Sequence, residues 1–176
     1  FDDEVRVSTN CKSSTVHYRL LLSHLADRIE QPQLRRTTDL AKSLHHVAEA
    51  IHRRSLVVIF TDVMERMDQA EAIFSSLQHL RYNKHEVILF HVTDKSRELD
   101  FEFENRPYLF IDMESGEEVR LQPNQVKEYY TNQVKEFTHH LKMRCLQFKI
   151  DFVEADINKG FHQILQTWMV KRAKMG

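Results

Sequence analysis

Two short apolar runs, separated by one amphipathic segment, constrain the fold of this chain more than any other feature of its sequence. Residues 56 to 60 read LVVIF, and residues 86 to 92 read EVILFHV. Neither run alternates apolar with polar residues, which is typical of strands covered on both faces inside a parallel sheet. The segment between them carries its apolar residues at helical spacing: Ala70, Ile73, Phe74 and Leu77. The pattern predicts a β-α-β unit and therefore an α/β fold with a mostly parallel sheet.

The rest of the chain shows the same periodicities, with one interruption. Amphipathic helices are predicted around 18–29, 40–51, 124–145 and 161–168, and further strands at 5–7 and 148–156. Residues 95–122 break the alternation, because Gly116 lies in a turn-forming SGEE between YLFIDM and EVRL, as in a β-hairpin. A chain of 176 residues with 41% hydrophobic content can bury one sizeable core. We therefore expect a single domain over 1–176, with a hairpin insertion at 95–122.

Composition excludes several classes of function. The 26 acidic and 25 basic residues nearly balance and are scattered, so no basic surface for nucleic acid is indicated. Three glycines, at 116, 160 and 176, are too few and too dispersed for a P-loop or a dinucleotide-binding fingerprint. No apolar run approaches the roughly 20 residues that cross a bilayer. We expect a cytoplasmic protein without nucleic-acid or membrane partners.

The cysteines and histidines favour structural over chemical roles. Cys11 and Cys145 lie far apart without zinc-ligand spacing, and Cys145 falls on the apolar stripe of a predicted helix, which indicates a packed core thiol. The adjacent pairs His45–His46 and His139–His140 point in directions about 100° apart on a helix, so neither pair can hold one ion unaided. Solvated helix faces explain these histidines better.

Carboxylates follow both apolar strands. Asp62 ends the first strand and Asp94 ends the second, and in open parallel sheets ligands bind at the carboxyl ends of the strands. Thr38 precedes a predicted helix, and a hydroxyl together with a carboxylate from neighbouring loops suits a Mg²⁺ ion, which prefers oxygen ligands. The competing explanation is local: Thr37 or Thr38 caps one helix and Asp62 caps the next. A second alternative is a metal-dependent hydrolase or phosphotransferase that uses Asp62 and Asp94 together.

Taken in order along the chain, these sequence motifs resemble those of the bacterial family called domain of unknown function 58. The resemblance is carried by RRTTDLAKSL, by VVIFTD, by EVILFHVTD, and most specifically by VTDKSRELDFEF with FIDMESGEE. The family has a von Willebrand factor A-like domain and is typically encoded beside a MoxR-type AAA+ ATPase. The resemblance covers essentially the whole chain and implies a three-layer α/β sandwich with a metal-ion-dependent adhesion site built from three loops.

Only two of those three loops have counterparts in this sequence. The second loop's Thr matches Thr38, with Thr37 as the less favoured choice, and the third loop's Asp matches Asp62. The first loop, Asp-x-Ser-x-Ser, would precede Phe1, so the resemblance implies a chain truncated at its N-terminus and an incomplete Mg²⁺ site. The missing first strand would also leave the strand at 56–61 with one unpaired edge, which invites association.

The resemblance implies a non-enzymatic adaptor domain. It would work with a MoxR-type AAA+ ATPase in the remodelling or maturation of client proteins, and a Mg²⁺ ion with an open position would accept a carboxylate from the partner. No nucleophile-base pair or cofactor cradle in the sequence argues for turnover, so we predict no catalytic residues. Two alternatives stay open: the metal-dependent hydrolase described above, and a structural domain whose metal site does not function.

Overall fold

A computed structural model describes residues 8–9, 12–30, 39–52, 54–62, 70–111 and 116–173. Within these ranges the helices are α1 (Thr15–Glu30), α2 (Leu40–Ala50), α3 (Ala70–Tyr82), α4 (Pro123–Gln147) and α5 (Phe161–Ala173). The strands are β1 (Leu56–Thr61), β2 (Glu86–Thr93), β3 (Tyr108–Ile111), β4 (Glu118–Leu121) and β5 (Asp151–Asp156). A π-helical turn covers Lys95–Leu99, and a 3₁₀ turn covers Ile157–Lys159.

The main sheet is parallel and has the order β1-β2-β5. At the carboxyl end of the strands, Thr61 lies opposite His91 and Thr93 lies opposite Asp156. The predicted α/β fold with a parallel sheet is therefore confirmed. Because all three strands run the same way, the residues that follow them meet along one edge of the sheet.

Helices cover the sheet on both faces, as the three-layer prediction requires. The larger core lies between one face and helices α2, α3 and α4, and it includes the fully buried Leu77 and Leu141. The smaller core lies on the other face, where Ile88 and Phe90 of β2 pack against Ile164 and Trp168 of α5. β2 is buried along almost its whole length because it is the central strand and is covered on both faces.

β1 departs from the expectation that it is covered on both faces. Its side chains alternate: Val57 and Ile59 are buried in the larger core, whereas Leu56, Val58 and Phe60 are 47%, 43% and 59% exposed. Among the described residues β1 lies at the end of the sheet, and the apolar residues of α5 pack over β2 and β5 instead. The strand and its parallel pairing with β2 were predicted correctly, whereas its outer face is only partly covered within the described residues.

The cap of α2 also differs from the prediction. Asp39 is the N-cap, and its Oδ1 accepts a hydrogen bond of 2.9 Å from the amide of Lys42. Thr37 and Thr38 therefore do not occupy the cap position that was predicted for one of them. Both threonines, like the predicted strand at 5–7, lie outside the described residues.

α1 is a helix at the predicted place, but it buries none of its residues. Its predicted apolar face remains exposed, with Leu25 at 61% and Ile29 at 79%. None of the helices within the described ranges is long and apolar enough to cross a membrane.

The predicted hairpin is confirmed as the antiparallel pair β3 and β4. Aromatic side chains attach it to the domain: the Phe101 ring lies 6.2 Å from that of Phe110 in β3 and 4.7 Å from that of Tyr130 in α4. Phe101 is 7% exposed, so one face of the hairpin packs on the domain.

Candidate functional site at the carboxyl edge of the sheet

Each of the three parallel strands ends in a carboxylate at the same edge. Asp62 follows β1, Asp94 follows β2, and Asp156 is the last residue of β5. The first two were predicted from the sequence, whereas Asp156 was missed. The signal was present, since the FVEAD of β5 ends in Asp just as the other two strands do.

Asp94 is held in place by local hydrogen bonds. Its Oδ1 accepts bonds from Ser96 Oγ at 2.8 Å, from Asn158 Nδ2 at 2.9 Å and from the Arg97 amide at 3.2 Å. The bonds from Asn158 and Ser96 lower the pKa of Asp94 below its ordinary value, because they stabilise the charged form. The bond from the Arg97 amide makes Asp94 the N-cap of the π-helical turn. With three bonds, this oxygen is already saturated with donors.

Asp156 is held by hydrogen bonds from residues of the same two loops. Its Oδ1 accepts bonds from both the amide and the Nδ2 of Asn158, each at 3.1 Å, and from the Lys95 amide at 3.4 Å. Burial alone would raise the pKa of Asp156, but these hydrogen bonds outweigh burial and lower it. Asn158 therefore connects the loops that follow β2 and β5.

Asp62 differs from the other two strand-end carboxylates because its side chain is exposed. Its negative charge acts on two buried or half-buried neighbours: it opposes the lowering of the pKa of His91 that burial causes, and it adds to the raised pKa of Glu98. For Glu98, burial is the larger cause of the raised pKa. A group whose pKa is perturbed both by burial and by a specific neighbouring charge is a candidate for a functional site.

His91 is a buried histidine at this edge that the sequence analysis did not single out. It is 2% exposed, and its Nε2 has no hydrogen-bond partner in the described part of the chain. Burial lowers the pKa of His91 below 6.5, and the charges of Asp62 and Glu154 oppose this shift. The imidazole is therefore neutral at pH 7, and it lies on β2 directly opposite Thr61 of β1.

The two predicted metal ligands are not seen together. Asp62 lies at the expected strand end, and Thr38 lies outside the described residues. Within the described ranges, no three His, Cys, Asp or Glu side chains form a group that could hold an ion. For a hard cation, which needs several oxygen ligands, the described part of the chain offers Asp62 as one carboxylate contact and no complete cage.

An apolar groove of about 440 Å³ opens beside this edge. It lies between α5 and the sheet face that carries Phe60 and Phe90, and its lining includes Phe60, Phe90, Val92, Ala155, Phe161 and Leu165. Phe60 and Phe90 stack with ring centroids 4.7 Å apart. Phe60 precedes the exposed Asp62 by two residues, so the groove opens close to the strand end that Asp62 follows.

The fold and this edge define an α/β sandwich domain with a parallel sheet, strand-end carboxylates and an adjoining apolar groove. The chain matches the model of the family described as protein of unknown function DUF58 over residues 1–140. It therefore belongs to the DUF58 family, as its motifs predicted. No curated protein and no solved structure matches the chain.

Proposed function

We propose that this chain is a protein-interaction domain, an adaptor without catalytic activity, which captures its partner at the carboxyl edge of the sheet. The observation that carries the proposal is the exposed end of β1, with the groove at Phe60 and the carboxylate of Asp62 after it. There the Phe60 ring is 59% exposed and lines an open apolar groove, and the exposed Asp62 follows two residues later in the chain. Contiguous exposed apolar surface rimmed by polar groups is typical of interaction sites.

The chemistry of this surface suits binding of a protein segment. The groove accepts an apolar side chain from a partner, and buried aromatic contacts of that kind often dominate the energy of an interface. Asp62 supplies a charge at the rim, where it selects partners by electrostatic complementarity. Together they would recognise a segment that combines an apolar anchor with a positive charge or a bound cation.

The competing hydrolase receives less support from the same geometry. It requires Asp94 as a second metal ligand, but the Oδ1 of Asp94 already accepts three hydrogen bonds. Cys145 is no more suitable as a nucleophile, because burial raises the pKa of its thiol to about 12 and a thiol rather than a thiolate is a poor nucleophile.

The resemblance to DUF58 proteins adds the identity of the ion and the partners to this proposal. We propose that Mg²⁺ is held by Asp62 and Thr38 as part of the interface, with a MoxR-type AAA+ ATPase and its client proteins as partners in the cytoplasm. When bound, the ion would offer an open coordination position to a carboxylate of the partner. Asp62 supplies the negative charge that holds the ion at this edge.

The test is calorimetric titration of Mg²⁺ and then of the MoxR-type ATPase into the chain and its variants, with a phosphatase assay alongside. We expect Asp62→Ala to abolish both binding events. Thr38→Ala should weaken them less, because water can replace a neutral hydroxyl. Glu136→Ala is the matched control, since it removes an exposed carboxylate of α4.

Two outcomes separate the adaptor from the enzyme. Undiminished capture of the ATPase by Asp62→Ala would defeat the adaptor proposal. Phosphate release by the wild type that disappears in Asp62→Ala, while partner binding persists, would establish the hydrolase instead.

A further inference from the structure

Two histidines from different helices meet on the surface formed by α2 and α3. The Nδ1 of His45 in α2 lies 3.1 Å from the Nδ1 of His79 in α3. The ring centroids are 4.9 Å apart. Two imidazoles that pointed straight at each other with the same separation of their Nδ1 atoms would have centroids further apart than this. The two nitrogen lone pairs are therefore inclined to the line that joins them, an arrangement compatible with two ligands of one ion.

The separation fits neighbouring ligands of a transition-metal ion. Two nitrogens that each lie about 2.0–2.1 Å from a tetrahedral Zn²⁺ are roughly 3.3 Å apart, and neighbouring nitrogens of a square-planar ion are roughly 2.9 Å apart. The observed 3.1 Å lies between these values. An ion could therefore enter between the rings with a small adjustment of either side chain.

A carboxylate orients one of the two rings. The Nε2 of His45 lies 3.3 Å from Oε1 of Glu49, one helical turn further along α2. A carboxylate at Nε2 favours the tautomer that carries its proton there, which leaves the lone pair of Nδ1 free for a metal. This carboxylate–histidine pairing is the usual second layer of protein metal sites.

The helices that carry the pair are fixed to each other on both sides of it. Ser76 Oγ donates to the carbonyl of Ala41 at 3.0 Å, and Asn83 Nδ2 donates to the carbonyl of Ala48 at 3.1 Å. His79 lies between Ser76 of α3 and Asn83, which directly follows α3, and His45 lies between Ala41 and Ala48 on α2. These bonds hold the spacing of the two rings before any ion arrives, which reduces the entropy lost on binding.

We propose that His45 and His79 form a binding site for a divalent transition-metal ion, Zn²⁺ being the probe of choice. Imidazole nitrogen suits Zn²⁺, Ni²⁺ and Cu²⁺ and is a poor ligand for Mg²⁺, so this site is chemically distinct from the edge at Asp62. The described residues bring no third such ligand to the pair. Water completes the coordination, and the bound ion links α2 to α3.

The test is calorimetric titration of Zn²⁺ into the full chain at pH 7.5. We expect one site that His45→Gln and His79→Gln each weaken at least tenfold, because each removes one of two protein ligands. Glu49→Gln should weaken it by a smaller factor. His46→Gln, which removes the exposed neighbour of His45 on α2, should bind Zn²⁺ as the wild type does.

Two further measurements make the result decisive. Circular dichroism of each variant should match the wild type, since the side chains of His45 and Glu49 are more than half exposed. At pH 5.5, where protons compete for imidazole, the wild-type affinity should fall while the variants change less. Equal Zn²⁺ affinity in the wild type, His45→Gln and His79→Gln would overturn the proposal and leave the pair as a hydrogen bond that shares one proton.

Discussion

The stacked pair Phe60 and Phe90 gives a direct test of whether the outer face of β1 is open in solution. The rings are nearly parallel, with centroids 4.7 Å apart and planes 14° apart. Their environments nevertheless differ sharply, since Phe60 is 59% exposed and Phe90 is 2% exposed. Replacing each in turn by Ala should therefore change the free energy of unfolding by different amounts.

The expected difference follows from burial. Phe90→Ala removes a fully buried ring and leaves a cavity, which typically costs about 3–5 kcal/mol. Complete burial of a Phe side chain is worth about 1.5–3 kcal/mol, so Phe60, less than half buried, should contribute roughly 1 kcal/mol. Loss of the aromatic pair adds about 0.5–1.5 kcal/mol. Phe60→Ala should thus cost about 2 kcal/mol, clearly less than Phe90→Ala.

Urea unfolding followed by circular dichroism and by tryptophan fluorescence measures both values. The single tryptophan, Trp168, lies 6.2 Å from the Phe90 ring and reports on that core. Leu146→Ala, which removes a side chain that is 69% exposed, is the control and should change stability by less than about 0.5 kcal/mol. Equal costs for Phe60→Ala and Phe90→Ala at every protein concentration would refute the reasoning, because the outer face of β1 would then be covered.

Two further predictions concern buried titratable groups. Burial lowers the pKa of His91 below 6.5. Above pH 6.5 the imidazole is neutral in both the folded and the unfolded chain, whereas below pH 6.5 the unfolded chain takes up the proton first. The free energy of unfolding should therefore fall as the pH is lowered from 7 to 5. His91→Leu should flatten that slope in urea melts, and an unchanged slope would exclude His91 as its source. Burial raises the pKa of Cys145 to about 12, so peptide mapping should show little modification of Cys145 by a thiol reagent at pH 8 until urea unfolds the chain. Rapid modification of the native protein would show that the thiol is accessible.

Much of the fold could be predicted from the sequence because its signals are local. The apolar run of β2 and the helical spacing in α3 depend on the pattern of neighbouring residues, and such a pattern specifies which face must be buried. The placement of Asp62 and Asp94 at one edge followed from the same step, since a β-α-β unit brings the ends of parallel strands together. Membership of the DUF58 family likewise followed from motifs read in order along the chain.

Only the tertiary structure decided which of these side chains are buried by neighbouring elements and which are hydrogen-bonded to distant residues. β1 is as apolar as β2, yet half of its side chains are exposed, because coverage depends on what packs beside a strand and not on the strand itself. Oδ1 of Asp94 accepts one of its three hydrogen bonds from Asn158, which lies 64 residues away along the chain. His45 pairs with His79 of another helix and not with its sequence neighbour His46. Local patterns select helices and strands, whereas contacts between distant segments arise from packing, which no short window of sequence contains.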